Sequence, residues 1–217
     1  MYYYPYNNMQ MNRWYRNTPT NQADSYIRLF HASPGAPAVD VYSNGNLIAQ
    51  NLGFKGFTPY LPVAAGNHKI KIYPAGRREN PIIDTDVYIP KGTIFNIAAV
   101  GDYPKTSLYY IPEPTVAQNF GRPCIRFIHL SPSAPKVDVK ISDDGKVFSD
   151  IGYKDITDYV CVPTGTYTFN VTPTGSNDVV LTIPNVKLEP NNYYTIYAVG
   201  KPGSQQPLQA VVAKEPR

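Results

Sequence analysis

The sequence predicts an all-β protein, built as two tandem immunoglobulin-like antiparallel β-sandwich domains behind an N-terminal Tyr/Asn-rich arm. Composition is the first ground. Of 217 residues, 22 are proline, 15 glycine and 19 tyrosine, so turns are frequent, uninterrupted helix is scarce and strand-favouring aromatics abound. The second ground is an internal duplication, and the third is a run of side chains with a period of two.

The duplication is read directly from residues 27–42 and 125–140. Ten of these sixteen positions are identical between "IRLFHASPGAPAVDVY" and "IRFIHLSPSAPKVDVK", where about one match would arise by chance. The likeness continues downstream. "LGFKGFTPYLPVAAG" matches "IGYKDITDYVCVPTG", and "IFNIAAVG" matches "YYTIYAVG". Repeat boundaries of 23–115 and 123–217 follow, with a proline-containing linker at 116–122 and the arm at 1–22.

Each repeat reads as a series of short strands. In the first they are expected at 26–31, 39–43, 47–49, 58–63, 67–73, 84–89, 94–100 and 108–111. "NHKIKIY" sets His68, Ile70 and Ile72 against Lys69, Lys71 and Tyr73, and "TYTFNV" places Tyr167, Phe169 and Val171 on the equivalent face. The turn signals "SNGN", "AAGN", "IPKG" and "SDDG" divide the runs. Strands at this spacing within about a hundred residues fit an immunoglobulin-like sandwich.

The repeated H-x-S-P-x-A-P-x-V-D-V segment, followed by a G…L…Y…V-x-A-G-x-H stretch, resembles the bacterial family known as domain of unknown function 4397. The resemblance covers the chain twice from about Tyr26 onward. It implies tandem Ig-like domains of envelope-associated or extracellular proteins and supplies no activity.

The duplicated segment contains the residue types of a hydrolase triad: His31, Ser33 and Asp40, then His129, Ser131 and Asp138. Catalysis would require the histidine within reach of the serine and the acid behind the histidine. Ser33 and Ser131 each precede a proline at a turn, where a hydroxyl serves the backbone, and neither a G-x-S-x-G elbow nor a Gly-rich oxyanion loop is present. The segment is therefore expected to be a structural corner rather than a catalytic site. Its prolines fix φ and remove donors, and the flanking His31 and Asp40 bond the orphaned backbone groups. Arg28 with Asp40, and Arg126 with Asp138, are candidate charge-assisted pairs.

No metal or cofactor is expected. The three histidines and two cysteines lack zinc-ligand spacing, and "ISDDGKV" lacks the oxygen ligands of an EF-hand loop. Cys124 and Cys161 align with Tyr26 and Pro62 of the first repeat, so the shared fold does not demand them. Three readings stand open for the pair: unpaired semi-buried thiols, an internal disulfide, or crosslinks between subunits.

The formal charge is +4, with no basic stripe, so nucleic acid is not an expected partner. The densest basic spot, Arg77 and Arg78 in "AGRREN", is expected in a hairpin turn. No apolar run is long enough to cross a bilayer, and the N-terminus lacks the apolar core of a classical export signal. The arm contains five tyrosines, five asparagines, Trp14, two arginines and no acid. Tyr2, Tyr3, Tyr4, Tyr6, Trp14 and Tyr15 are its candidate adhesive contacts to a neighbouring subunit.

These readings converge on a non-enzymatic, self-assembling structural protein of a bacterial surface layer, spore coat or fibre. Its expected partner is itself, joined head to tail, at a bacterial cell or spore surface. The alternative is a module binding carbohydrate or another surface ligand, such as a surface polysaccharide, through exposed tyrosines such as Tyr109 and Tyr110.

Overall fold

The computed structural model describes residues 25–114, 121–141 and 145–215. The arm and most of the linker lie outside the described residues. Sixteen strands form four four-stranded sheets, and no helix is present among the described residues. No helix there is long and apolar enough to cross a membrane.

In the first unit the strands are β1 (Ser25–His31), β2 (Val39–Ser43), β3 (Asn46–Leu52), β4 (Leu61–Val63), β5 (Gly66–Pro74), β6 (Ile83–Ile89), β7 (Ile94–Val100) and β8 (Ser107–Pro112). They make two sheets, ordered β4-β1-β7-β8 and β3-β2-β5-β6. The second unit repeats this plan with β9 (Cys124–His129), β10 (Val137–Ile141), β11 (Gly145–Ile151), β12 (Val160–Cys161), β13 (Gly165–Pro173), β14 (Leu181–Leu188), β15 (Tyr193–Val199) and β16 (Gln209–Lys214). Its sheets run β12-β9-β15-β16 and β11-β10-β13-β14.

One sheet of each unit departs from the all-antiparallel expectation. β1 pairs in parallel with β7, and β9 with β15. A parallel pair needs a long crossover. Here the second, third, fifth and sixth strands of each unit, which form the opposite sheet, supply it together with the fourth, which returns to the edge of the first sheet. The fourth strand is shorter than expected, 61–63 rather than 58–63. Instead, Phe57 and Ile156 make single bridges to Phe30 and Ile128.

Alternation along β5 and β13 sends Ile70, Ile72, Phe169 and Val171 inward, all buried. They pack on Val41 and Ile27 in the first core and on Val139 and Ile125 in the second. β1, β9 and β15 break this alternation, because nearly every residue in them is buried. Strands covered on both faces lose their polar side.

A third apolar cluster supplies the second cover. It joins Phe30, Ala98 and Val100 of the first unit to Ile128, Leu130, Tyr197 and Val199 of the second. Phe30 stacks on Phe57 at 4.0 Å between ring centroids, and Tyr197 leans on both rings at 5.0 and 5.7 Å. The two sandwiches thus meet sheet to sheet, through equivalent faces of the two repeats.

Candidate functional site

The duplicated corner lies at the loop end of each sandwich, and its polar residues turn to the backbone. In a neutral imidazole bonded to a carbonyl, the bonded nitrogen must carry the proton. His31 Nε2 therefore donates to Pro37 O at 3.0 Å, and His129 Nε2 to Pro135 O at 3.1 Å. Ser33 Oγ donates to Gly101 O at 2.5 Å, and Ser131 Oγ to Gly200 O at 2.7 Å. Those glycines have φ of +101° and +88°, and a Cβ would strike the carbonyl of Lys105 or Pro207. The tight loop that glycine permits is what each serine holds closed.

Asp40 accepts the backbone N–H of Asn51 at 2.7 Å and of Gly76 at 2.8 Å. Asp138 accepts from Asp150 N at 2.9 Å and pairs with Lys146 at 2.6 Å. Among the described residues, no hydrogen bond joins either histidine to the serine or aspartate of its motif. The three triad residue types thus clamp three separate loops.

His31 and His129 have a further consequence. Nδ1 of each ring is buried without a hydrogen-bond partner. Burial lowers both imidazoles below the ordinary value of 6.5, against the pull of the Pro37 and Pro135 carbonyls and of each residue's own backbone. A proton on Nδ1 would be a buried charge with nowhere to bond. A depressed folded-state pKa gives stability that is complete above the unfolded value and is lost as pH falls through the folded one. Melting temperature should accordingly fall as pH drops below about 6.5. Replacing both histidines by glutamine should flatten that slope, and an unchanged slope would show that other groups carry it.

The candidate Arg28–Asp40 and Arg126–Asp138 pairs are not formed. Each arginine sits on the sheet that faces the other unit, and each aspartate on the opposite sheet. Arg28 Nη2 instead meets Glu215 Oε2 at 2.6 Å, and Arg126 Nη2 meets Glu113 Oε1 at 2.6 Å. Glu113 immediately follows β8 and Glu215 follows β16, so both ion pairs cross between units. All four side chains are nearly inaccessible to solvent.

Neighbours complete the cluster. Arg28 Nε donates to Asn96 Oδ1 at 2.6 Å, Asn96 Nδ2 donates to Glu113, and Tyr197 OH donates to Glu215 Oε1 at 3.0 Å. Arg126 Nε donates to Thr195 Oγ1 at 3.0 Å and Nη1 to Pro112 O at 2.9 Å. The guanidinium of Arg28 lies over the rings of Phe57 and Tyr60, and that of Arg126 over Tyr159. Burial opposes charge on both arginines, yet the facing carboxylates hold them above their ordinary value. Burial, with Glu215 close by, pushes the Glu113 carboxyl up, while Arg126 and Arg28 pull it back toward the charged form. Burial also raises Tyr60, Tyr159 and Tyr197, which stay protonated as donors.

Cys124 and Cys161 face each other across β9 and β12 and form a disulfide within the second unit. Their sulfurs are thereby committed, and the crosslink between subunits is not formed by this pair. The bridge closes a separation of 37 residues, for which removal should cost about 2–4 kcal/mol. Non-reducing electrophoresis should give no disulfide ladder, and reduction should expose two alkylatable thiols. A multimer ladder would overturn the assignment.

Other candidates are dispersed. Tyr109 is half-buried, its hydroxyl bonded to Lys154 O of the second unit, while Tyr110 is 41% exposed. Tyr2, Tyr3, Tyr4, Tyr6, Trp14 and Tyr15 lie outside the described residues, as does the centre of the "SDDG" turn. The Arg77–Arg78 turn lies between β5 and β6, as its composition predicts.

In both β-sandwiches the residues of the repeated motif hold backbone loops. The chain belongs to the family described as Domain of unknown function (DUF4397), whose model matches residues 25–140 and 141–217. The join of these segments falls within β10, whereas the structural repeat divides between β8 and β9. A search of curated proteins found no match.

Among solved structures, the chain is similar to the C-terminal domain of AlgF from P. aeruginosa. Identity there is 17%, covering 44% of this chain and 99% of that one, with a TM-score of 0.33. It is also similar to CBMbc, a family CBM26 module of Eubacterium rectale Amy13K solved with maltoheptaose. That match has 13% identity, covers 88% and 98%, and has a TM-score of 0.26. A streptococcal virulence factor described by its alpha-glucan binding matches at 14% identity over 80% and 92%, with a TM-score of 0.26. At these TM-scores the likenesses carry no argument about function.

Proposed function

We propose that the protein is a non-enzymatic structural subunit that self-assembles at a bacterial cell or spore surface, its N-terminal arm docking on a neighbouring copy. The observation that carries this reading is the crossed pair of buried ion bridges between the sandwiches. Arg28–Glu215 and Arg126–Glu113 tie the ends of the chain's two units into one body. A subunit that must repeat along a layer or fibre needs such fixed geometry between its contact surfaces. The clamped loops of the duplicated corner serve the same end.

An acceptor for the arm is available at β6. Among the described residues this edge strand pairs only with β5, in an uninterrupted register, and its Tyr88 is 66% exposed. The equivalent edge β14 is blunted by Pro184, a register shift and Asn185 at positive φ. Asp84 and Asp86 on β6 pair with Lys69 and Lys71 of β5, so the arm's Arg13 and Arg16 would share these acids with the two lysines. Unpaired strand edges accept added strands, and tyrosines offer contact area at low entropic cost. Twenty-two extended residues reach roughly 70 Å, far enough to contact a second copy. Because donor and acceptor surfaces differ, docking runs head to tail and need not close.

Deleting residues 1–22 should leave the melting temperature unchanged and abolish assembly, read by negative-stain microscopy and sedimentation. Equal assembly of both forms, or a full-length protein that stays monomeric at high concentration, would defeat the proposal.

A further inference from the structure

A concavity at the loop end of the first unit is built by two clamped loops. One joins β5 to β6, residues 75–82, and the other joins β7 to β8, residues 101–106. The open space between them is about 680 Å³, lined by Arg77, Arg78, Glu79, Asn80 and Tyr103 together with three prolines and Ile82. This is within the size range of small-ligand sites. Asp40 pins the first wall through Gly76 N, and Ser33 pins the second through Gly101 O. Tyr103 N donates to Pro34 O at 3.4 Å, tying the second loop to the corner again. The duplicated corner therefore holds both walls of the concavity.

Arg78 is the best-placed group. Its guanidinium lies over the Tyr42 ring at 4.6 Å, and its Nε donates to Tyr42 OH at 3.1 Å. Tyr42 is in turn braced edge-on by Tyr73. Neither Nη nitrogen of Arg78 has a hydrogen-bond partner among the described residues. A stacked guanidinium with its outer fork open is prepared for a carboxylate or phosphate. Arg77 adds a second exposed guanidinium, and Tyr103, 44% exposed, adds an aromatic surface. Asn80 and Glu79 supply an amide and an acceptor for hydroxyl groups.

The second unit carries neither the arginines nor the tyrosines at the equivalent positions. The turn after Gly175 reads Ser176, Asn177, Asp178, and position 202, equivalent to Tyr103, is proline. That turn is also closed on itself. Ser176 bonds Asp178, and Asn177 is taken by Lys140, the counterpart of Tyr42. The shared fold therefore does not require the arginines or the tyrosine stack, which are particular to the first unit.

We infer that this concavity is a binding site for an anionic saccharide, a sugar ring carrying a carboxylate or phosphate. The arginine pair takes the anion, Tyr103 stacks on the sugar face, and Asn80 with Glu79 reads hydroxyls. Binding involves one chain and does not depend on assembly.

Titration calorimetry of the full chain at low salt, with an α-1,4-galacturonate trimer, the neutral galactose trimer, mannose 6-phosphate and inorganic phosphate, tests the site. Binding of the galacturonate trimer at least tenfold tighter than the neutral trimer is expected, weakening as salt rises. The double variant Arg77→Ala/Arg78→Ala should lose at least tenfold, Arg78→Lys should fall between, and Tyr103→Ala should lose several-fold. Equal melting temperatures are expected, since Arg77, Arg78 and Tyr103 are exposed. If mannose 6-phosphate alone binds, with the same sensitivity to the variants, the site is supported and its anion is phosphate. Inorganic phosphate binding as tightly as either sugar would overturn saccharide recognition. No binding at millimolar concentration, or a double variant that binds unchanged, would overturn the site itself.

Discussion

Replacing Glu215 by alanine should destabilise the folded chain by about 3–5 kcal/mol, the range for breaking a buried ion pair from one side. The cost comes from what is left behind. Arg28 is buried, its Nε is already engaged by Asn96, and its Nη2 has Glu215 as the one carboxylate at 2.6 Å. Without that carboxylate the guanidinium remains between the Phe57 and Tyr60 rings with its charge unopposed at close range. Tyr197 OH also loses its acceptor. Glu113→Ala should behave similarly through Arg126. Converting the first pair together, Arg28→Met with Glu215→Leu, should recover most of the loss, because well-packed apolar residues often replace a buried pair at little cost. Urea unfolding of the wild type, both single variants and the double variant forms the required cycle. Single variants within 1 kcal/mol of wild type would mean that water reaches the cluster and the units are not locked through it.

This interface explains what the sequence made legible and what it did not. Duplication and period-two alternation expose the tandem sandwich, because each is a local property of a strand: Ile70 and Phe169 point inward for the same reason. The corner is legible too, since Ser-Pro and Ala-Pro steps restrict the backbone wherever they occur. The contacts between units leave no such trace. Arg28 is separated from Glu215 by 187 positions, and nothing local to either residue selects the other over nearer acids such as Asp40. A signal was nonetheless present. Both copies end in a Glu-Pro step, Glu113-Pro114 and Glu215-Pro216, and both begin with an Ile-Arg step. Two arginines within the first strand of each copy and two glutamates just after the last, each kept through the duplication, could have been matched as a crossed set. The absence of a polar alternate face in "YYTIYAV", where Thr195 is the one non-aromatic polar residue, also announces a strand covered on both faces. The disulfide was undecidable for a related reason: cross-strand register, which places Cys161 opposite Cys124, follows from pairing across a fold rather than from spacing.

Truncating Phe169 to alanine should cost about 3–5 kcal/mol. The ring is 0% exposed in β13, where Phe169 pairs in register with Ile141 on one side and Ile183 on the other. Its neighbours belong to both sheets of the second sandwich, including Phe127 and Ile196 of the sheet that meets the first unit. A cavity here would be surrounded by side chains fixed from behind by the interface cluster, so collapse around the missing ring is restricted and the cost should lie at the upper end of the range. The interface also predicts the form of the loss. Arg28 and Arg126 each depend on a glutamate carried by the other unit, so unfolding of the second sandwich strips the first of Glu215 and exposes Phe30, Ala98 and Val100. The variant should therefore melt in a single transition at lower temperature, with tyrosine signals from both units moving together. Calorimetry distinguishes the outcomes: two separated transitions would mean that the sandwiches fold independently and the ion bridges form only after each is complete. Equal calorimetric and van't Hoff enthalpies would instead establish one cooperative body, the property that a repeating structural subunit requires.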